Sequence, residues 1–160
     1  MKKLLFIALM LGFVCGCSRK KVSFKDISPV PSAEELVIIE KTNEERVKKG
    51  LHVLFINDSL MQSAKLQALR MAEKGQLDHV LRGQSEYRTV MNRVNYFDYV
   101  FSTVGENIAC GQTYLTVVED WMNSPGHRAN ILNPEFREIG VGINFASDGT
   151  PYFCQVFGAQ

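Results

Sequence analysis

The stretch "WMNSPGHRANIL", from Trp121 to Leu132, puts a histidine where a helix has to break. Pro125 has no amide proton to donate and Gly126 ends helices readily, so the chain must stop near Ser124-Pro125-Gly126 and can restart at His127. Imidazole is the side chain whose charge changes near neutral pH, and its neutral nitrogens ligate metals. Held at such a junction beside Arg128 and Asn130, His127 is a candidate for chemistry, for binding, or for a hydrogen bond that only joins two helices. Cys110 and Cys154 are the two thiols beyond residue 17. In an oxidising compartment two isolated cysteines can pair, but no spacing signature links these two. A Cys110–Cys154 disulfide and two separately buried thiols stay equally open.

The elements that must carry these residues follow from punctuation and periodicity. Ser32, followed by Glu34 and Glu35, reads as an N-cap with acids in the first helical turn, where they suit the positive end of the helix. That helix runs to Lys49, with Leu36, Ile39, Asn43 and Val47 on one face and Gly50 as its stop. Asn57 or Asp58 caps a second helix through Lys74. Its face is Leu60, Ala64, Gln67 and Met71, flanked by Ala68 and Ala72, and Gly75 closes it. A third helix is expected over residues 85–94, and a fourth from Thr113 or Tyr114 to Asn123, burying Val117, Val118 and Trp121. Strands come last: residues 139–145 alternate, "PYFCQVFG" is β-branched and aromatic, and "SDGT" between them is a hairpin turn; "ENIAC" is a further strand candidate. Trp121, Phe136, Phe145, Phe153 and Phe157 read as core, and His52 as a surface residue. Helices first and a hairpin last argue for a mixed, layered α+β domain rather than a doubly wound sheet.

The N-terminus sets the compartment. Lys2 and Lys3 precede the apolar run "LLFIALMLGFV", which has the length of a signal-peptide core and is short for a membrane span. "VCGC" then resembles the lipobox of bacterial lipoproteins, in which the cysteine, here Cys17, is lipidated and becomes the first mature residue. The expected organisation is a lipoprotein signal peptide over 1–16, a flexible tether over 17–31 and one domain over 32–160. The partner this implies is a membrane, reached through the lipid on Cys17. The expected location is extracytoplasmic, on the outer membrane or cell surface. Losing Lys2 and Lys3 with the leader lowers the 18 basic residues to 16 against 17 acidic ones, a net charge of −1. That balance gives no electrostatic case for nucleic acid.

Several segments in one order carry a resemblance: "NEERVKKGL", "DSLMQSAKLQALRMAEKG", "DH", "GENIACG", "DWMNSPGHRANILNPEFREIGVGI" and "YFCQVFG". Together they are similar to the CAP superfamily of cysteine-rich secretory, antigen 5 and pathogenesis-related 1 proteins, in its bacterial SCP-like branch, over residues 34–160. The resemblance implies a three-layer α-β-α sandwich around a small central antiparallel sheet, and a cavity in which two histidines and two acids meet. His79 in "LDHV", Glu106 in "GEN" and His127 in "PGHR" match three of those positions. Ser124 stands where many relatives carry the second acid. Asn43 and Arg46 match the family's helical "NxxR", with internal hydrogen bonds as their expected role, and Asn95 stands where many relatives have glycine, on a left-handed backbone.

Two imidazoles and a carboxylate form a zinc ligand set, so the resemblance implies Zn2+ or another divalent cation at His79, Glu106 and His127. A hydrogen-bonded structural network of the same three residues is the equal alternative. The functional expectation is an envelope-anchored, monomeric binding or host-interaction module for a lipid, a sterol-like molecule or a peptide. A metal-assisted hydrolase of peptide or envelope substrates is the alternative, disfavoured by the missing second acid. A serine-protease reading with Ser124, His127 and Glu106 is weaker still, because a serine before proline at a helix end is usually a cap or turn residue.

Overall fold

The computed structural model describes residues 24–83 and 86–160. The expected signal peptide, Cys17 and the expected tether as far as residue 23 lie outside the described residues. The chain builds α1 (Ala33–Lys48), β1 (Phe55–Ile56), α2 (Asp58–Lys74), α3 (Val90–Tyr96), β2 (Thr103–Cys110), α4 (Val117–Asn123), α5 (Pro125–Ile131), β3 (Glu138–Phe145) and β4 (Pro151–Ala159). The sheet order is β1-β3-β4-β2. β2, β3 and β4 are antiparallel, as expected, but β1 joins β3 in parallel, which makes the sheet mixed.

Alternation along the strands divides the core into two layers. Tyr152, Cys154 and Val156 of β4 face α2 and α3, where Leu60, Ala64, Ala68, Met71 and Val94 meet them. Phe153 and Phe157 face the other way, against Ile38 and Ile39 of α1, Trp121 of α4 and Ile131 of α5. α2 seats close on the sheet because β3 presents Gly140 and Gly142 to it: a Cβ on Gly140 would lie 2.0 Å from the Leu60 carbonyl carbon.

The capping signals are realised. Ser32 and Glu35 form a reciprocal capping box on α1. Asn57 caps α2, and Gly75 ends it in the left-handed conformation at φ 61°. The buried stripe of α1 differs from the expected one: Glu35, Ile38, Ile39, Thr42 and Arg46 are buried, while Leu36 and Val47 are exposed. The reason is that the inner face carries charge. Glu35 accepts from the Ile143 amide at 3.2 Å, and Arg46 donates to carbonyls of His52, Ile131 and Asn133 at 2.8–3.0 Å. Apolar periodicity alone therefore points at the wrong side.

α3 begins at Val90, capped by Thr89, later than residue 85. α4 begins at Val117, because Thr113–Thr116 form a turn closed by the Thr116 hydroxyl on Thr113. Among the described residues the left-handed non-glycine is Asp98, at φ 62°, whereas Asn95 lies within α3. Phe145 is 64% exposed at the hairpin end of β3; the other four expected core aromatics are buried.

Residues 24–31, read from sequence as tether, are laid along α2. The Gln62 amide donates to the carbonyls of Lys25 and Ile27, and Lys65 to those of Ser28 and Val30. Phe24 closes edge-on against Tyr87. Among the described residues no helix is long and apolar enough to cross a membrane.

Candidate functional site

β2 lies at the edge of the sheet, and its neighbouring residues Glu106 and Asn107 point into different layers. The edge leaves backbone carbonyls unpaired. Two side chains from the α4–α5 layer close them: Trp121 Nε1 donates to the Ile108 carbonyl at 3.2 Å and Asn130 Nδ2 to that of Glu106 at 3.1 Å. The polar cluster gathers around this closed edge.

On the α2–α3 side, the buried Glu106 carboxylate takes the His79 ring on one oxygen, with Nδ1 to Oε1 at 2.7 Å. Its other oxygen receives Nη2 of Arg93, a fully buried side chain, and lies 3.5 Å from the Cys154 thiol. Arg93 Nη1 also reaches the carbonyls of His79, Tyr87 and Arg88 at 3.3–3.5 Å. His79 comes from the connection between α2 and α3. That connection is steadied by Gln67, whose amide donates to the Asp78 carbonyl at 2.6 Å, and by an Asp78 carboxylate that accepts from the Val80 amide. The His79 side chain remains 53% exposed. Its bond to Glu106 raises its pKa above the ordinary histidine value.

On the other side, the helix break behaves as its residues require. Ser124 ends α4 and precedes α5, with Pro125 in the first position of the new helix. His127 follows in the first turn of α5. Its carbonyl accepts from Asn107 Nδ2 at 3.1 Å, and Asn107 Oδ1 accepts from Asn130 at 2.8 Å. Asn107 also donates to the buried Gln155, which donates to Thr42 of α1, so a polar chain crosses the core behind His127. The His127 ring makes no hydrogen bond among the described residues. Burial first, and then the nearby charge of His79, lower its pKa. The two imidazoles are thus pushed in opposite directions.

Ser124 makes no side-chain hydrogen bond to α5, and neither His127 nor Glu106 is bonded to its hydroxyl. Cys110 and Cys154 are free thiols. Cys154 pairs in register with Ile108, and Cys110 with Tyr152, so the two are diagonal rather than opposite. Burial, and then the Glu106 charge, push the Cys154 thiol well up.

As a three-donor metal centre the residues do not fit. The Glu106 carboxylate is buried between His79 and Arg93, and among the described residues no three His, Cys, Asp or Glu side chains gather to hold an ion. The two imidazoles remain as donors. The residue that sequence reasoning missed is Arg93. The signal was there, because Arg93 sits among the apolar Val90 and Val94 of α3 and Phe97 at its C-cap, where a cation must find a partner.

Asn43 and Arg46 hold the far side: Asn43 exchanges two hydrogen bonds with Leu54, while Arg46 ties α1 to the end of α5. His52 is exposed, yet its Nε2 lies 2.7 Å from the Phe136 carbonyl. A separate groove of about 960 Å³ opens between residues 27–32, α2 and the β3–β4 hairpin, with Leu69, Ile143, Phe145 and Phe153 among its walls.

This arrangement defines a three-layer α+β domain with a polar cluster on an edge strand. The cysteine-rich secretory protein family (CAP) matches residues 39–157, and the chain belongs to it. It is 45% identical over 112 residues to the uncharacterized protein YkwD of Bacillus subtilis, a match that covers 69% of this chain and 42% of that protein. The chain therefore spans less than half of that relative. An uncharacterized protein of Borreliella burgdorferi is 30% identical over 162 residues, covering 100% of this chain and 97% of that one. Among solved structures, an outer surface protein from Borrelia burgdorferi aligns with TM-score 0.73 and 29% identity over 82% of this chain and 96% of that one. An extracellular SCP-domain protein from Bacillus anthracis aligns with TM-score 0.69 and 26% identity, over 79% of this chain and 40% of that one. Both of these solved relatives act outside the cytoplasm, one on the outer surface and one as an extracellular protein.

Proposed function

We propose that this chain is an extracytoplasmic, envelope-anchored binding module, tethered through a lipid on Cys17, whose His79–Glu106–His127 cluster receives a small ligand or a divalent cation. One observation carries the reading. The His79 ring is half open to solvent, while its Nδ1 is committed to Glu106, so Nε2 is left for a ligand. The His127 ring, unbonded and favoured in its neutral form, offers a second donor. A carboxylate behind a ligating imidazole raises the basicity of that imidazole, so in this reading a cation meets His79 Nε2 with Glu106 supporting the ring from behind. His127, near enough for its titration to feel the charge of His79, is the candidate second donor.

The hydrolase alternative is weaker. Glu106 is buried and ion-paired with Arg93, which makes it a poor base, and among the described residues Ser124 has no bonded partner to activate it. The test is zinc calorimetry on the chain, with His79→Ala and His127→Ala. Saturable binding lost in either variant supports the reading. Heat unchanged in both variants overturns it for cations.

The apolar groove favours a second reading, in which the ligand is a lipid or sterol-like molecule lying between residues 27–32 and the hairpin. Binding of a fluorescent acyl probe that survives both histidine variants would move the ligand there.

A further inference from the structure

Among the described residues, Arg93 is the side chain that touches both halves of the α2–α3 side of the cluster. Its Nη2 faces the Glu106 carboxylate on β2, while Nη1 reaches three carbonyls of the connection that carries His79. It is fully buried, and so is the carboxylate it meets. Taking a guanidinium and a carboxylate out of water costs several kcal/mol per ion, recovered only with good geometry and further hydrogen bonds. A leucine or methionine would fill the same space more cheaply, so a pure packing role does not explain an arginine here.

We propose that Arg93 is a positioning residue: by clamping the carbonyls of His79, Tyr87 and Arg88 to the carboxylate of Glu106, it fixes the ring of His79 with its proton on Nδ1 and its Nε2 free. The chemistry follows from donor and acceptor inventories. A carboxylate only accepts, so the imidazole nitrogen 2.7 Å from Glu106 Oε1 must be the one that carries hydrogen. A neutral imidazole has one such nitrogen, which leaves the lone pair on Nε2.

That outcome requires the carboxylate to be held in one rotamer and the His79 backbone at one height above it. The guanidinium supplies both, because its donors form a rigid fork that can serve a carboxylate and a row of carbonyls together. A lysine ammonium is a point charge on a flexible stem: it can neutralise Glu106 but cannot span to the connection. Gln67 on α2 secures only the neighbouring Asp78 carbonyl, so it cannot orient the ring. This inference rests on the reading that the cluster takes a ligand through Nε2, but ring orientation is measured with no ligand added.

The experiment uses the full chain in detergent, labelled with 15N only in histidine. The label reports three rings: His52, His79 and His127. Long-range proton–nitrogen spectra are recorded above the imidazole titrations, with the wild type set against Arg93→Lys. The expected result is a pyrrole-type Nδ1 and a pyridine-type Nε2 for wild-type His79. In Arg93→Lys both should move toward the shared value of a tautomer mixture, while His127 stays unchanged. A wild-type His79 protonated on Nε2 overturns the proposal, and so does an Arg93→Lys spectrum identical to wild type.

If Arg93→Lys fails to fold, the wild type still decides. In a second wild-type sample labelled with 15N in arginine, separate, slowly exchanging Nη protons on Arg93 support the clamp, and a freely rotating guanidinium overturns it. Zinc that fails to bind while His79 is held on Nδ1 sinks the ligand reading and leaves the clamp standing. Zinc that binds equally well with a mixed tautomer does the reverse.

Discussion

One methyl group on β3 should lift α2 from the sheet. A Cβ added at Gly140 would lie 2.0, 2.2 and 2.3 Å from the carbonyl carbon and oxygen of Leu60 and the amide nitrogen of Met61. At Gly142 it would lie 2.4 Å from the Ala64 carbonyl carbon and the Lys65 nitrogen. Favourable carbon contacts begin near ~3.5 Å, so the helix must retreat by more than about 1 Å. The obstructing atoms are helix backbone, which no rotamer change can clear.

Two effects oppose one another in Gly140→Ala. Replacing a strand glycine with alanine gains roughly 0.5–1 kcal/mol in conformational terms. Overpacking costs about 1–3 kcal/mol and more where backbone must move. The clash wins, and a net loss of about 2 kcal/mol or more is expected, a large part of the 5–15 kcal/mol typical of a domain. Urea unfolding should show the midpoint falling with an unchanged slope. Gly126→Ala is the control, because a Cβ there meets nothing within 4 Å.

The double variant Gly140→Ala/Gly142→Ala should cost less than the sum of the single ones, since one retreat of α2 relieves both. Hydrogen exchange should also speed up over residues 76–83, because Gln67 on α2 holds the Asp78 carbonyl beside His79. Gly140→Ala unfolding within about 0.5 kcal/mol of wild type would refute this account of how α2 is seated.

Two further outcomes follow from the site. His79 should titrate above the ordinary histidine value and His127 below it, read by NMR; Glu106→Gln should bring His79 down toward the other ring, and His127 protonating first on acidification would sink the assignment. The stability signs are opposite: the His79 contribution is present below the ordinary histidine pKa and lost as pH rises through its raised value, while that of His127 is present above the ordinary pKa and lost as pH falls through its lowered one. For the thiols, a maleimide should label the partly exposed Cys110 in the native protein and Cys154 only after unfolding; a denatured protein in which neither reacts without reductant would mean a Cys110–Cys154 disulfide instead.

Where local rules act, the sequence was readable. Ser32, Asn57 and Gly75 announce their helix ends because capping is decided within a few residues. The break at Ser124-Pro125 announces the α4–α5 junction for the same reason. β1 was not readable, because a two-residue parallel strand has no periodicity and exists through its pairing of Phe55 with Glu138 and Ile56 with Ile139. The inner face of α1 was misread because Glu35 and Arg46 are buried by partners far along the chain, at Ile143 and at Ile131 and Asn133.

The site divides along the same line. His79, Glu106 and His127 were found by resemblance, yet resemblance names residues without saying what each one touches. The expected ligand set treated Glu106 as equal to the two histidines. Its surroundings rank it differently: it is buried between a cation and a ring, whereas His79 is half exposed. In the proposed reading, a carboxylate buried behind the ring supports the imidazole that meets the ligand. What decides the role of Glu106 is therefore Arg93, which comes from another element and enters no motif. A charged residue on the apolar face of a short helix is the sequence mark of such a partner, because burying it alone would cost more than the helix could recover.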